Sequence, residues 1–236
     1  MNLSRLSKKW HKWLSLVVGL QLIIWLGTGL YFNLMDSTKA SGNEHRQQVQ
    51  QGFSIKEQKL FPISKLKIKD AETIKLIGIL QQPYYLIVHH SQPHAYQKQR
   101  LSLLNAKTGK PYTLSEAKVR VIALKSYQGQ VAIQHSELLK PPISELPKQQ
   151  NSVWQVQLND PNSTNVYVNS VTGQVIAHVN DDRRLRDLMF KLHFMDYANS
   201  GGFNHWLIIL FGLTVLLFSF TGAIWLSDIV RKRKFL

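Results

Sequence analysis

The chain contains no cysteine. That excludes disulfide staples, thiol nucleophiles and any iron–sulfur cluster ligated by its own residues. Charge is missing locally rather than overall: Leu14 to Met35 and Trp206 to Ser227 are two runs of 22 residues without Asp, Glu, Lys or Arg. At about 1.5 Å rise per residue, each run would extend roughly 33 Å as a helix, enough to cross a hydrocarbon core of roughly 30 Å. The same lack of ionisable groups argues against an ion or proton pathway through these helices. Acidic residues are scarce, 14 against 29 Lys and Arg, which leaves a net charge of +15. No zinc-finger spacing and no RNP-like aromatic motif accompanies that charge, so it does not point to nucleic acid. A P-loop, a G-x-G-x-x-G and a nucleophile with base and orienting group are also missing, and Gly201-Gly202 reads as a turn.

The positive charge sits where a membrane protein places it. Arg5, Lys8, Lys9 and Lys12 precede the first apolar run, and Arg231, Lys232, Arg233 and Lys234 follow the second. The positive-inside rule then predicts cytoplasmic termini, with residues 37–204 on the far side of the membrane. That central segment is basic as well, but long domains translocate largely regardless of charge. The first run is longer than a signal-peptide core, and only Thr38-Lys39-Ala40 offers a small-residue cleavage pattern, so an uncleaved anchor is expected. The two runs also share a pattern. "WLSLVVGLQLIIWLGTG" from Trp13 and "WLIILFGLTVLLFSFTG" from Trp206 both read W-L-x4-G-L-x7-T-G. Gln21, Thr28 and Asn33 in the first suit a helix that packs against a partner.

Between the runs, residues 36–59, with Gln47-Gln48-Val49-Gln50-Gln51, read as a polar connector. Strands are expected over Thr73 to Leu80, Tyr84 to His89, Leu101 to Asn105, Trp154 to Leu158, Asn165 to Asn169 and Val175 to Val179. Ser115 is positioned to cap a short helix, although Lys118 to Leu124 reads equally well as a strand. The Pro-rich segment 140–151 predicts a break between two lobes, 60–139 and 152–182. Both lobes carry a strand ending in Asn, two residues, Thr-Gly and a return strand, in "RLSLLNAKTGKPYTL" and "NVYVNSVTGQVIAHV". The glycine supplies the positive φ that a tight hairpin can require. Residues 183–204 carry Leu185, Leu188, Met189 and Leu192 at helical spacing, which predicts an amphipathic helix on the membrane surface and a turn. The complete division is then a cytoplasmic N-terminus (1–12), a membrane helix (13–35), the connector, the two lobes and their linker, the surface helix, a second membrane helix (205–227) and a basic tail (228–236). The expected class is an α+β membrane protein with antiparallel sheets.

Asn169-Ser170-Val171-Thr172-Gly173-Gln174-Val175 between two strands resembles the end of a PepSY module. His11-Lys12-Trp13-Leu14 opening the first membrane helix, Thr-Gly near the end of each, and Leu192 to Tyr197 before Gly201-Gly202 are similar to the PepSY-associated transmembrane family. The resemblance runs from about Lys9 to Leu226. It implies either of two roles: PepSY modules were first linked to peptidase propeptides as inhibitors, while larger members with about four membrane helices include ferrisiderophore reductases that hold haem between the helices. This chain departs from those members in having two membrane helices.

A low-spin haem b needs two axial ligands, and histidine supplies them without burying net charge in lipid. Of nine histidines, His45, His89, His90, His94, His135 and His178 fall in the polar region. His89, His90 and His94 could form a metal site but lack a matching carboxylate. The candidate haem-iron ligands are His11, His193 and His205. His11 and His205 lie at opposite interfaces and cannot share one iron within a chain. His193 and His205 can serve one haem, or one each from two chains, and His11 would need a second His11. A homodimer, or a membrane partner subunit, would restore four helices. Gly29 shares a helical face with His11, and Gly212 and Ser219 share one with His205, leaving room for a macrocycle or for close helix packing. Interfacial histidines beside tryptophan also serve as plain polar anchors. The expected function is accessory to, or part of, transmembrane electron transfer of the iron or siderophore reduction type. The alternative is a non-catalytic, membrane-anchored periplasmic binding or regulatory module.

Overall fold

The computed structural model describes residues 3–49, 52–54, 59–90, 98–202 and 204–232. His94, Gln50, Gln51, Arg233 and Lys234, named above, lie outside the described residues. The chain forms two units, one from the residues up to Met35 together with those from Arg186 on, the other from Asp36–Leu185.

In the first unit α1 (Leu3–Leu34) pairs antiparallel with α5 (Trp206–Arg231). Both pass the length and composition test for membrane spans, and only 11% of the most apolar stretch of each is buried. A core helix of a soluble protein would be mostly buried, so these outward-facing apolar surfaces suit lipid. The helix begins well before Trp13, so Arg5, Lys8, Lys9 and Lys12 lie within its first turns rather than in a separate tail. Lys8 and Lys232 both reach Asp228, at 3.7 and 2.7 Å, which ties the two charged helix ends together.

In the second unit β1 (Ala71–Ile79), β2 (Gln82–His89) and β3 (Leu101–Asn105) form one antiparallel sheet in sequence order. The strands β4 (Ile133–Leu139), β5 (Val153–Leu158), β6 (Asn165–Asn169) and β7 (Val175–Val179) form a second. Six of these seven strands match the expected runs to within two residues at each end. The segment Lys118 to Leu124 is helical, inside α3 (Glu116–Lys125), because Val119, Ile122 and Ala123 form one buried stripe. Ser115 stands at its N-cap, though its hydroxyl makes no capping bond.

The division into two lobes at 140–151 needs correcting. β4 lies before the Pro-rich segment and pairs with β5 after it, so the segment is a connection inside one sheet. Its Glu145 accepts bonds from Tyr167 Oη at 2.7 Å, Asn165 Nδ2 at 3.1 Å and Arg184 Nε at 2.7 Å, which anchors the excursion to its own sheet. A single core joins both sheets: α3 packs with Ile79, Tyr84 and Leu86 of the first and Val156, Leu158 and Val166 of the second. The connector is stitched down as well. A short α2 (Ser37–Ala40) leads to Arg46, which bridges to Tyr127, and Gln47 N donates to Ser126 O at 2.9 Å.

The repeated turn is real in both sheets. Asn105 Oδ1 accepts from Lys107 N at 2.9 Å and Thr108 N at 3.2 Å, and Asn169 Oδ1 accepts from Val171 N and Thr172 N, both at 2.9 Å. Each asparagine thus mimics a backbone turn, and Gly109 (φ 71°) and Gly173 (φ 68°) complete it.

Finally α4 (Asp181–Phe194) starts in the second unit and ends in the first. Asn180 Oδ1 caps it by accepting from Arg183 N at 3.0 Å, and Asp181 and Asp182 complement the positive end of its dipole.

Candidate functional site

The membrane unit places the three candidate histidines at its two ends. His11, in the first turns of α1, faces the far half of α5. Its Nδ1 is 3.2 Å from Phe218 O and 3.2 Å from Thr221 Oγ1. Thr221 Oγ1 donates to Phe218 O at 2.8 Å, the usual back-bond of a helical threonine. With that proton spent on the carbonyl, the hydroxyl meets His11 as an acceptor, the arrangement that suits an imidazole protonated on Nδ1. The ring stacks on Phe218 with centroids 4.3 Å apart and meets Trp225 edge-on at 5.5 Å. Gly222 makes the approach possible: a Cβ there would lie 2.9 Å from His11 Cε1. Ser7 Oγ completes the seam by donating to Thr221 O at 2.7 Å. His11 Nε2 makes no hydrogen bond among the described residues.

His193, in the last turn of α4, meets the other end of α1. Its Nδ1 is 2.8 Å from Thr28 Oγ1, while that hydroxyl donates to Ile24 O at 2.7 Å. The single-proton argument again makes Nδ1 the donor and leaves the lone pair on Nε2. Phe32 and Trp25 flank the ring, with centroids 5.6 and 6.1 Å away.

The end of α4 is held by its carbonyls. A helix leaves its last carbonyls without intrahelical partners, which is costly where lipid replaces water. Gln21 Nε2 donates to Leu192 O at 3.4 Å, Trp25 Nε1 to His193 O at 2.6 Å, and His205 Nε2 to Phe194 O at 2.8 Å. Gln21 and Thr28 are therefore buried against α4 of the same chain, whereas Asn33 is exposed and bonds back to Gly29 O at 2.8 Å. The following turn is set by Asp196, whose carboxylate accepts from Ser200 N and Oγ, both at 2.9 Å, and Gly201 N at 2.8 Å. Burial opposes its ionisation, but these bonds hold its pKa below the usual carboxylate range.

His193 and His205 thus lie toward one end of the unit, where His205 holds the carbonyl of Phe194 beside His193, and His11 lies at the other. Their chemistry differs. His11 and His193 are half-buried and have no Nε2 partner among the described residues. His205 spends Nε2 on the α4 carbonyl. The donor set fits a haem iron, since neutral imidazoles oriented through their other nitrogen are its ordinary ligands. One such nitrogen lies at each end of the unit. Sequence reasoning passed over Thr28 and Thr221 as acceptors, although the T-G pair repeated in both helices marks them.

His89 Nε2 is 2.8 Å from Ser102 Oγ and its Nδ1 3.3 Å from Lys69 O, so both nitrogens are engaged. No group of three metal-ligating residues occurs among the described residues. His178 is sealed at 1% exposure, with Nε2 2.9 Å from Ser126 Oγ. Burial, reinforced by the nearby cations Arg46 and Arg183, lowers its pKa to about 4. An open polar groove is lined by Asn43, Arg46, Gln47, Gln48, Val49, Gln174 and Val175.

No curated protein and no solved structure matches the chain. A family profile described as PepSY-associated TM region matches residues 8–235, nearly the whole chain, and runs through both membrane helices and the domain between them. The chain belongs to the family of PepSY-associated transmembrane regions.

Proposed function

We propose that the protein is an electron-transfer subunit of a bacterial inner membrane, holding haem b through His11 at one end of its helix pair and His193 at the other. The observation that carries this reading is the shared hydrogen-bond pattern: each imidazole is tied through Nδ1 and keeps Nε2 for a ligand. A second copy of the chain would bring its own His11 and His193 to the same two groups, giving four helices, and a membrane partner subunit with equivalent histidines would do the same. His205 serves the site by capping α4 and so fixing the turn that carries His193. Haem held there would supply a one-electron carrier, suited to iron or siderophore reduction of the kind the sequence resemblance implies. The chain's own residues orient the ligands and surround them with Phe218, Trp225, Phe32 and Trp25, which exclude water.

The orientation rests on the basic ends of both helices, Arg5, Lys8, Lys9 and Lys12 on one and Arg231 and Lys232 on the other, which favour the cytoplasmic leaflet and leave the sheet-bearing unit periplasmic. The protein expressed with adequate haem and solubilised in detergent should show Soret absorption, and His11→Ala with His193→Ala should abolish it. Absence of that band in the wild type would overturn the redox reading. It would leave a membrane-anchored binding module, for which the open groove around Arg46 is the candidate surface.

A further inference from the structure

The two W-L-x4-G-L-x7-T-G segments are related crosswise. Thr28, in the first copy, receives His193 from the last turn of α4, the element ahead of the second copy, and Thr221, in the second copy, receives His11, just ahead of the first. Both threonines are buried, at 4% and 8% exposure, and both spend their only hydroxyl proton on a carbonyl of their own helix. We propose that Thr28 and Thr221 are positioning residues that fix His193 and His11 as Nδ1–H tautomers, so that each delivers an Nε2 lone pair to a ligand.

The physical reason is the direction of the hydroxyl bonds. An imidazole protonated on Nε2 would set its Nδ1 lone pair against a threonine lone pair 2.8 Å away at His193. At His11 that lone pair would face the oxygens of both Thr221 and Phe218 at 3.2 Å. Neither arrangement offers a proton to share, and apolar surroundings strengthen the mismatch. The two ends are not equally dependent on their threonine. His193 Nδ1 has Thr28 Oγ1 as its hydrogen-bond partner among the described residues, whereas His11 retains the Phe218 carbonyl if Thr221 loses its hydroxyl.

The identity of the ligand as haem iron rests on the function proposed above, but the tautomer assignment does not. Removing the group that orients a metal-bound histidine lowers affinity about 10–100-fold. Thr28→Val should therefore weaken haem binding at the His193 end by about 10–100-fold, and Thr221→Val should weaken the His11 end by less than about tenfold. Thr28→Ser, which keeps the hydroxyl, should restore wild-type affinity.

The deciding experiment uses the full-length protein with ¹⁵N-labelled histidine, haem-free, in detergent micelles. The expected spectra show His11 and His193 protonated at Nδ1, with Thr28→Val moving His193 to a mixture of tautomers and Thr28→Ser returning it. Wild-type protein protonated at Nε2 on either residue, or a Thr28→Val spectrum unchanged at His193, would overturn the inference whatever haem does. A wild type that shows the expected tautomers and takes up no haem would support the positioning role and overturn the haem reading alone.

Discussion

At the scale of single residues, His178, inconspicuous in the sequence, is a strongly perturbed group. His178 lies in β7 with a hydroxyl partner in Ser126, and Ser126 Oγ donates to Ala123 O at 2.7 Å, so the imidazole must donate from Nε2. Burial first, then Arg46 and Arg183, hold its pKa near 4, below the ordinary 6.5. Asp160 opposes that shift only weakly. A depressed folded-state pKa means the unfolded chain takes up the proton first. The stabilisation is whole above about pH 6.5 and is lost as pH falls toward about 4, on the order of 3 kcal/mol. Urea unfolding of the detergent-solubilised protein should show a falling midpoint across that window, and His178→Gln should flatten the fall. Gly173 is a second such position. At φ 68° a Cβ would sit 3.2 Å from Ile122 and 3.3 Å from Ile79, both in the core between the sheets. Gly173→Ala should cost about 1–3 kcal/mol, read in the same unfolding experiment.

At the scale of elements, legibility followed locality. The N-x-x-T-G turns could be read because asparagine and glycine act on their own neighbours, and β3, β6 and β7 fall where those turns place them. β4 could not be read, because it is an edge strand whose pattern through His135-Ser136-Glu137 shows no strict alternation and whose pairing with β5 spans the Pro-rich excursion. α3 was ambiguous because Val119, Val121 and Ile122 favour a strand by propensity, and packing between two sheets overrides it. The amphipathic spacing of Arg183 to Tyr197 announced a surface helix, but the docking of its last turn required α1 as well. Trp25 donates to the freed carbonyl of His193 at 2.6 Å. Trp25→Phe preserves the ring contact and leaves that carbonyl unpaired, at a cost of about 1–3 kcal/mol. Hydrogen exchange should quicken in the last turn of α4, while the amides of β5 and β6 stay unchanged.

At the scale of the whole molecule, two membrane spans were legible from missing charge alone, and the family followed from the order of weak motifs along the chain. The candidate histidines were legible as residues, but not as sites. Their Nδ1 atoms meet threonines that come from a different helix in each case, a relation no single window of sequence contains. The pairing gives the helix pair two similar ends, one with His11 against Thr221 and one with His193 against Thr28, and the proposed function assigns one haem to each. Haem content per chain, measured from the Soret band against protein concentration, tests that claim most directly. The account predicts about one haem per chain in the wild type, about half in either His11→Ala or His193→Ala, and none in the double variant. Full haem content retained in both single variants, or none in the wild type, would contradict it.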